Sequence, residues 1–254
     1  LFLVVLNIII VFIILYYLCR IFSISNKFGH LITMGTSICG VTAVIATSSI
    51  IKSSKNETSY AVGVITLFGM TSVFLYPYLA NYLFITKSDL AGIFLGTSIH
   101  DTAQVSAAAM IYFENYDSEI AMNSAMTTKL LRNSFLIFLI PLIAYLYNVK
   151  ENSNLKNSIK DFFPFFVLGF IILSIIRSLG DQFILDSNHM IFWNQFIIYT
   201  KYISKYLILN AMVSLGLQTN LKNIVKLGFK PLLVGFLAAI SVGISSLVFL
   251  QTFI

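Results

Sequence analysis

Charge is scarce in this sequence. Only 10% of its 254 residues are Asp, Glu, Lys or Arg, against roughly 25% in a soluble domain. So few charges exclude a surface covered by water, and lipid must cover most of it. Cysteine is scarce too. Cys19 and Cys39 are the only two, both in or beside apolar segments, and they suggest no disulfide framework. Enzyme signatures are missing: there is no HExxH, no GxSxG elbow and no Walker loop. The Gly-x-Ser-Gly of rhomboid-type proteases fails because Ile38 follows Ser37. Cys39, His100 and His30 lack any metal-ligand spacing. Low-complexity tracts and nucleic-acid modules are absent as well. The expectation is a protein that is not an enzyme and has no cofactor, resident metal or nucleic-acid partner.

What is abundant is hydrophobic sequence, at 58%. A helix needs about 20 apolar residues to cross the hydrocarbon core. Apolar segments recur at about 1–19, 31–51, 60–84, 89–113, 127–148, 161–180, 195–217 and 228–254. None of the polar connectors is long enough to fold alone. The reading is an all-α integral membrane protein with about eight transmembrane segments, forming one domain over 1–254. The chain starts at Leu1 inside an apolar run that is too long for a signal peptide and lacks its basic flank, so a fragment or trimmed chain is expected.

The net charge is +6, carried in short loops. If all eight segments span, the odd connectors hold Arg20, Lys27, Lys87, Lys150, Lys156, Lys160, Lys222, Lys226 and Lys230. The even connectors hold only Lys52 and Lys55, with acids including Glu57, Glu114, Asp117, Glu119, Asp181 and Asp186. The positive-inside rule then places the odd connectors in the cytoplasm and both chain ends outside. One re-entrant segment would break this alternation.

Two segments resemble each other. Residues 35–46 read GTSICGVTAVIA and residues 96–107 read GTSIHDTAQVSA, agreeing at six of twelve positions with an offset of 61. If both span, they run parallel; if one is re-entrant, they can be inverted. Gly, Thr and Ser before an apolar run are a helix-start signal. A start at membrane depth exposes N–H groups and a positive dipole end, and two such starts make an anion site. The expected substrate ligands are Gly35, Thr36, Ser37, Cys39 and Gly40 with Gly96, Thr97, Ser98 and Gln104. The alternative is close packing through small residues, which the Gly92–Gly96 pair fits.

His100 and Asp101 sit mid-segment, where polar groups face a bundle interior or pathway, and a histidine there can couple transport to protons. Lys129, Arg132 and Asn133 open the fifth segment. Lys129 and Arg132 share a helix face. They either hold an anion or pair with Asp101 inside the bundle, or snorkel at its edge. They fall on the predicted outer side, against the charge bias. Arg177 and Asp181 suit an i,i+4 pair, and Asn210 suits a hydrogen bond to another helix.

At GTSICGVTAVIAT (35–47), LFGMTSVFLYP (67–77), GTSIHDTAQVSAAA (96–109), KLLRN (129–133), PFFVLGF (164–170) and AMVSLGLQTNLKNIVKLGFKPLLVG (211–235), the chain resembles the bacterial YeiH-type family, described as sulfate exporters. The resemblance covers essentially the whole chain. Thr42 and Thr102 depart mildly from the family pattern, and family members carry about three further N-terminal helices. The resemblance implies a multi-pass protein of the bacterial inner membrane with inverted repeats and discontinuous helices, similar to the bile-acid and cation/proton antiporter folds. It implies export of a small sulfur-containing anion. Separately from the resemblance, the partners expected are H+ or Na+ as coupling ion and a second copy of the chain in a homo-oligomer. A membrane-embedded enzyme or sensor using His100 and Asp101 is the competing expectation.

Overall fold

The computed structural model describes residues 2–151, 165–183, 187–218 and 229–253. Every described element is a helix: α1 Phe2–Ile21, α2 Asn26–Ser37, α3 Val41–Ile50, α4 Lys55–Leu83, α5 Ser88–Ser98, α6 Thr102–Tyr116, α7 Glu119–Ser134, α8 Leu136–Glu151, α9 Phe165–Phe183, α10 Ser187–Gln218 and α11 Phe229–Phe253. Among the described residues, four stretches are long and apolar enough to cross a bilayer: Phe2–Ile21, Lys55–Leu83, Glu119–Ile143 and Phe229–Thr252. Lys156, Lys160, Asp186, Lys222 and Lys226 lie outside the described residues.

The segments expected at 31–51 and 89–113 are not single spans. Each is a pair of short helices folded back as a hairpin. In the first, a Cβ on Gly35 of α2 would lie 2.7 Å from Val44 of α3. Residues nine apart in one straight helix would be separated by roughly 13 Å, so the chain has turned round between them. The base of this hairpin closes on itself. Ser25 caps α2 and donates to Glu57 at 2.7 Å, Lys27 donates to the Lys52 carbonyl at 2.9 Å, and Phe28 stacks on Tyr60. Ser54 and Glu57 form a capping box at the start of α4, the arrangement that satisfies orphan N–H groups where a helix begins. Lys230, at the start of α11, lines one cleft with Ser25 and Glu57. Arg20, Lys27, Lys52, Lys55 and Lys230 therefore gather at one end of the molecule.

The second hairpin enters from the other end. From that basic end α4 carries the chain away to Phe84, where α5 starts back. The returning arm α6 runs beside α4 in the same direction: Gln104 donates to the Thr66 carbonyl, and farther along Tyr112 reaches Asn81. α7 then begins beside the start of α5, where a Cβ on Gly92 would lie 2.2 Å from the Ala121 carbonyl and one on Gly96 would lie 2.6 Å from that of Ala125. The small-residue pair thus serves close packing, the role its spacing suggested. Lys87, Asp89, Glu114, Asp117 and Glu119 mark this opposite end. The offset of 61 is preserved in space, because both copies break at the same place, over Ile38–Gly40 and over Ile99–Asp101.

Two packed clusters hold the hairpins. One joins α1, α2, α3, α4, α8 and α11, the other α4, α5, α6, α7 and α11. α11 lies beside α4, with Tyr76 donating to the Ala239 carbonyl and Asn7 of α1 donating to Ser245 at 3.2 Å. The expected Arg177–Asp181 pair forms, at 3.0 Å, and Asp181 also accepts from Trp193. Asn210 is exposed rather than bonded into the bundle.

The hairpin makes a topological prediction. In a chain lacking Cys19, cysteines placed at Lys27 and Ser53 are expected to react with a membrane-impermeant thiol reagent from the same side, and a cysteine at Lys87 from the other. Labelling of 27 and 53 from opposite sides would restore a single span at 31–51.

Candidate functional site

The two tips meet. Reading outward from the chain, α2 and α5 each end in Gly-Thr-Ser and each break within the next three residues. The Gly-Thr-Ser motifs are therefore helix ends, where helix starts were expected. The returning arms start at Val41 and Thr102, three residues later. The same residue types suit either role, because Ser and Thr side chains compete for backbone hydrogen bonds at both ends of a helix. A helix end leaves its last carbonyls without partners and carries a partial negative charge. Two such ends converge here.

Lys129 and Arg132, one turn apart on α7, satisfy them. The Lys129 ammonium has three protons to give and three acceptors: the carbonyls of Ile38, Ile99 and His100, the first two at 2.9 and 3.0 Å. Arg132 donates to the Ser37 carbonyl at 2.7 Å and to those of Thr36, Thr97 and Ile99. Each cation thus bridges both tips. Both are buried, at 0% and 1% exposure, which decides between the two readings of KLLRN. α7 starts at Glu119, so Lys129 lies roughly 15 Å along the helix rather than at the edge, and it has no bearing on the charge bias of the connectors. Asn133 follows and donates to the Thr102 hydroxyl at 2.9 Å.

The positive ends belong to the returning arms. Asp101 caps α6, accepting from the Ala103 N–H at 3.0 Å, and Gln104 completes a capping box by accepting from the Asp101 N–H. The Val41 amide at the start of α3 also faces the Asp101 carboxylate. One carboxylate therefore sits between two helix starts, the place expected for a bound anion. Gly40 makes the approach possible. Its φ is +67°, and a Cβ there would fall 2.7 Å from Asp101 Oδ2 and 3.1 Å from Asp101 Cα. Gly69 on α4 plays a similar part for Gln104, whose side chain fills the space a Cβ would take.

The hydroxyls expected to hold substrate divide into two groups. Thr97 is turned away: it donates to the Ile93 carbonyl at 2.8 Å and meets Ser246 of α11. Thr36, Ser37 and Ser98 are buried, and among the described residues their hydroxyls have no hydrogen-bond partner; nor does Nδ1 of His100 or the side-chain oxygen of Asn133. Buried polar groups are normally paired, so such a cluster at two facing tips is a site in need of polar occupants. Cys39 is buried at the first tip in the place His100 holds at the second. Thr66, Gly69 and Ser246 complete the surroundings and went unnoticed in the sequence. The only signal was small and hydroxylated residues within apolar segments, which is too common to single them out.

A family model described as "Conserved hypothetical protein 698" matches residues 1–235. A UPF0324 membrane protein of Fusobacterium nucleatum is 33% identical over 240 residues, covering 92% of this chain and 69% of that protein. One of Streptococcus pneumoniae is 31% identical over 235 residues, covering 92% and 67%, and one of Clostridium tetani is 29% identical over 246 residues, covering 91% and 66%. The chain thus spans about two thirds of the length of these relatives. No solved structure matches it.

Proposed function

This chain belongs to the UPF0324 membrane-protein family, and from that premise we propose that it is a multi-pass secondary transporter carrying a small anion across the bacterial inner membrane. The observation that carries this reading is the charge at the meeting of the two tips. The two helix ends and two helix starts contribute partial charges of roughly half a unit each, of opposite sign, and largely cancel. The side chains are unequal in number: two buried basic groups, Lys129 and Arg132, stand against one acid, Asp101. A site with more basic than acidic groups and unpartnered hydroxyls favours an anion.

Depth supports the same reading. α2 has 12 residues and α5 has 11, about 17 Å each, so each hairpin reaches about halfway through a hydrocarbon core of about 30 Å. Broken helices meeting at the midplane, between repeats of opposite direction, are how many secondary transporters build a binding site. The basic end, with Arg20, Lys27, Lys52, Lys55 and Lys230 against Lys87 at the other, suits the cytoplasm by the positive-inside rule. Re-entrance moves Lys52 and Lys55 to the basic end and Lys87 away from it, which sharpens the bias. Alternating access would rock the hairpins and α7 against α1 and α11. The YeiH-type resemblance supports sulfate or a related sulfur oxyanion as the substrate class, and export as the direction.

The test is flux. The full-length protein in proteoliposomes, given sulfate, sulfite or taurine-derived anions under imposed pH and sodium gradients, is expected to show saturable transport of at least one. No flux of any anion under any gradient would overturn the reading.

A further inference from the structure

The Asp101 carboxylate occupies the place of an anion between two helix starts. Two helix starts converge on it, from α6 through the Ala103 N–H and from α3 through the Val41 amide. Gly40 yields the space that brings the second start close. A substrate oxyanion has the same chemistry as a carboxylate, being negative and an acceptor only. We propose that the transported anion and the Asp101 carboxylate compete for these two helix starts, so that the anion binds when Asp101 is protonated and one proton travels with each anion.

This rests on the transporter reading and specifies its coupling. The site has two independent marks. One is the carboxylate itself, standing in for an anion at paired amide ends. The other is the set of buried groups at the same tips without partners: the hydroxyls of Thr36, Ser37 and Ser98 and Nδ1 of His100. The carboxylate is faced by Lys129 from α7 and by Cys39 from the first tip; Arg132 lies near Cys39 and His100, and α4 contributes Gly69 and Thr66 against Gln104 and no charge. Both basic side chains hold tip carbonyls, so they stay in place at the site whether or not Asp101 is ionised. With Asp101 ionised, the amides are filled and an entering anion meets a like charge. When a proton adds to the carboxylate oxygen, the N–H groups it held become available and accept the anion in its place. One proton and one anion enter, and both leave on the other side. The direction of net flux then follows the combined gradients of the two.

Proton counting tests this with the full-length protein and anions that do not titrate near neutrality, sulfate and methanesulfonate. Calorimetric binding measured in buffers of different ionisation heat is expected to show about one proton taken up per anion. The apparent Kd is expected to rise roughly tenfold per pH unit once the carboxyl is ionised. Asp101→Asn cannot titrate, and its neutral amide oxygen competes for the two helix starts more weakly than a carboxylate does, as the protonated form would. It is expected to bind the anion without proton uptake, with affinity flat across pH, and to lose flux driven by a pH gradient while retaining anion exchange. Wild-type binding without proton uptake overturns the proposal and leaves the transporter reading standing. The proposal also falls if Asp101→Asn keeps the pH dependence, which would move the titrating group to His100. Should Asp101→Asn fail to fold, the wild-type proton count decides alone. Absence of any anion binding or flux in the wild type overturns both.

Discussion

Arg132→Leu is expected to abolish transport and to lower the thermal stability of the purified protein markedly. The guanidinium is the partner of carbonyls from Thr36, Ser37, Thr97 and Ile99, on both hairpins. Leucine fills much of the volume and donates nothing. Each carbonyl left bare in a buried setting costs roughly 1–3 kcal/mol, so the loss is at least about 3 kcal/mol. Both helix ends would also lose the positive charge that opposes their dipoles. Arg132→Lys keeps the charge but has no planar fork to span two tips, so an intermediate loss is expected. Thermal unfolding in detergent, followed beside flux in proteoliposomes, separates the cases. Unchanged unfolding in Arg132→Leu would mean that the tips do not depend on this residue.

Gly40→Val is expected to be the second most damaging change, although it alters no charge. A non-glycine residue at a φ of +67° with ψ of −126° costs on the order of 1–3 kcal/mol in backbone strain. The new side chain would also meet Asp101, including its Cα at 3.1 Å, and a backbone atom cannot swing aside. The tips must separate, and the Asp101 carboxylate loses the second helix start. Flux is expected to fall to background, with a clear drop in unfolding temperature. Gly169→Ala is the control: among the described residues nothing lies within 4 Å of its added Cβ, and alanine within a helix is favoured over glycine by roughly 0.5–1 kcal/mol. Equal effects at the two positions would show that the Gly40 contact is unimportant.

Much of the candidate site was legible because burying polarity in an apolar chain is costly, and few residues do it. His100, Asp101, Gln104, Lys129 and Arg132 stand out against their surroundings, and all five are buried at the tips. The duplicated Gly-Thr-Ser-Ile marked the breaks correctly. What it could not reveal was polarity of use. These residues end α2 and α5, and their carbonyls, more than their hydroxyls, meet the cations. Thr97 illustrates the limit: its hydroxyl is engaged by the helix behind it and by Ser246, 149 positions away in sequence. KLLRN shows the same limit from the other side. Its charges fit a membrane edge as well as a core until the start of α7 is known to lie at Glu119.

By itself the sequence determined that this protein lives in lipid, that its helices break twice in the same way, and which few polar residues accompany the breaks. Those follow from composition and local chemistry, which do not depend on where the chain goes next. Whether each break continues across the bilayer or turns back was decided only by tertiary structure. Hydropathy is the same for a span and for two arms of a hairpin. The turn is fixed by distant partners: Glu57 for Ser25, Asn81 for Tyr112, and two cations on α7 that gather the loose carbonyl ends of both tips.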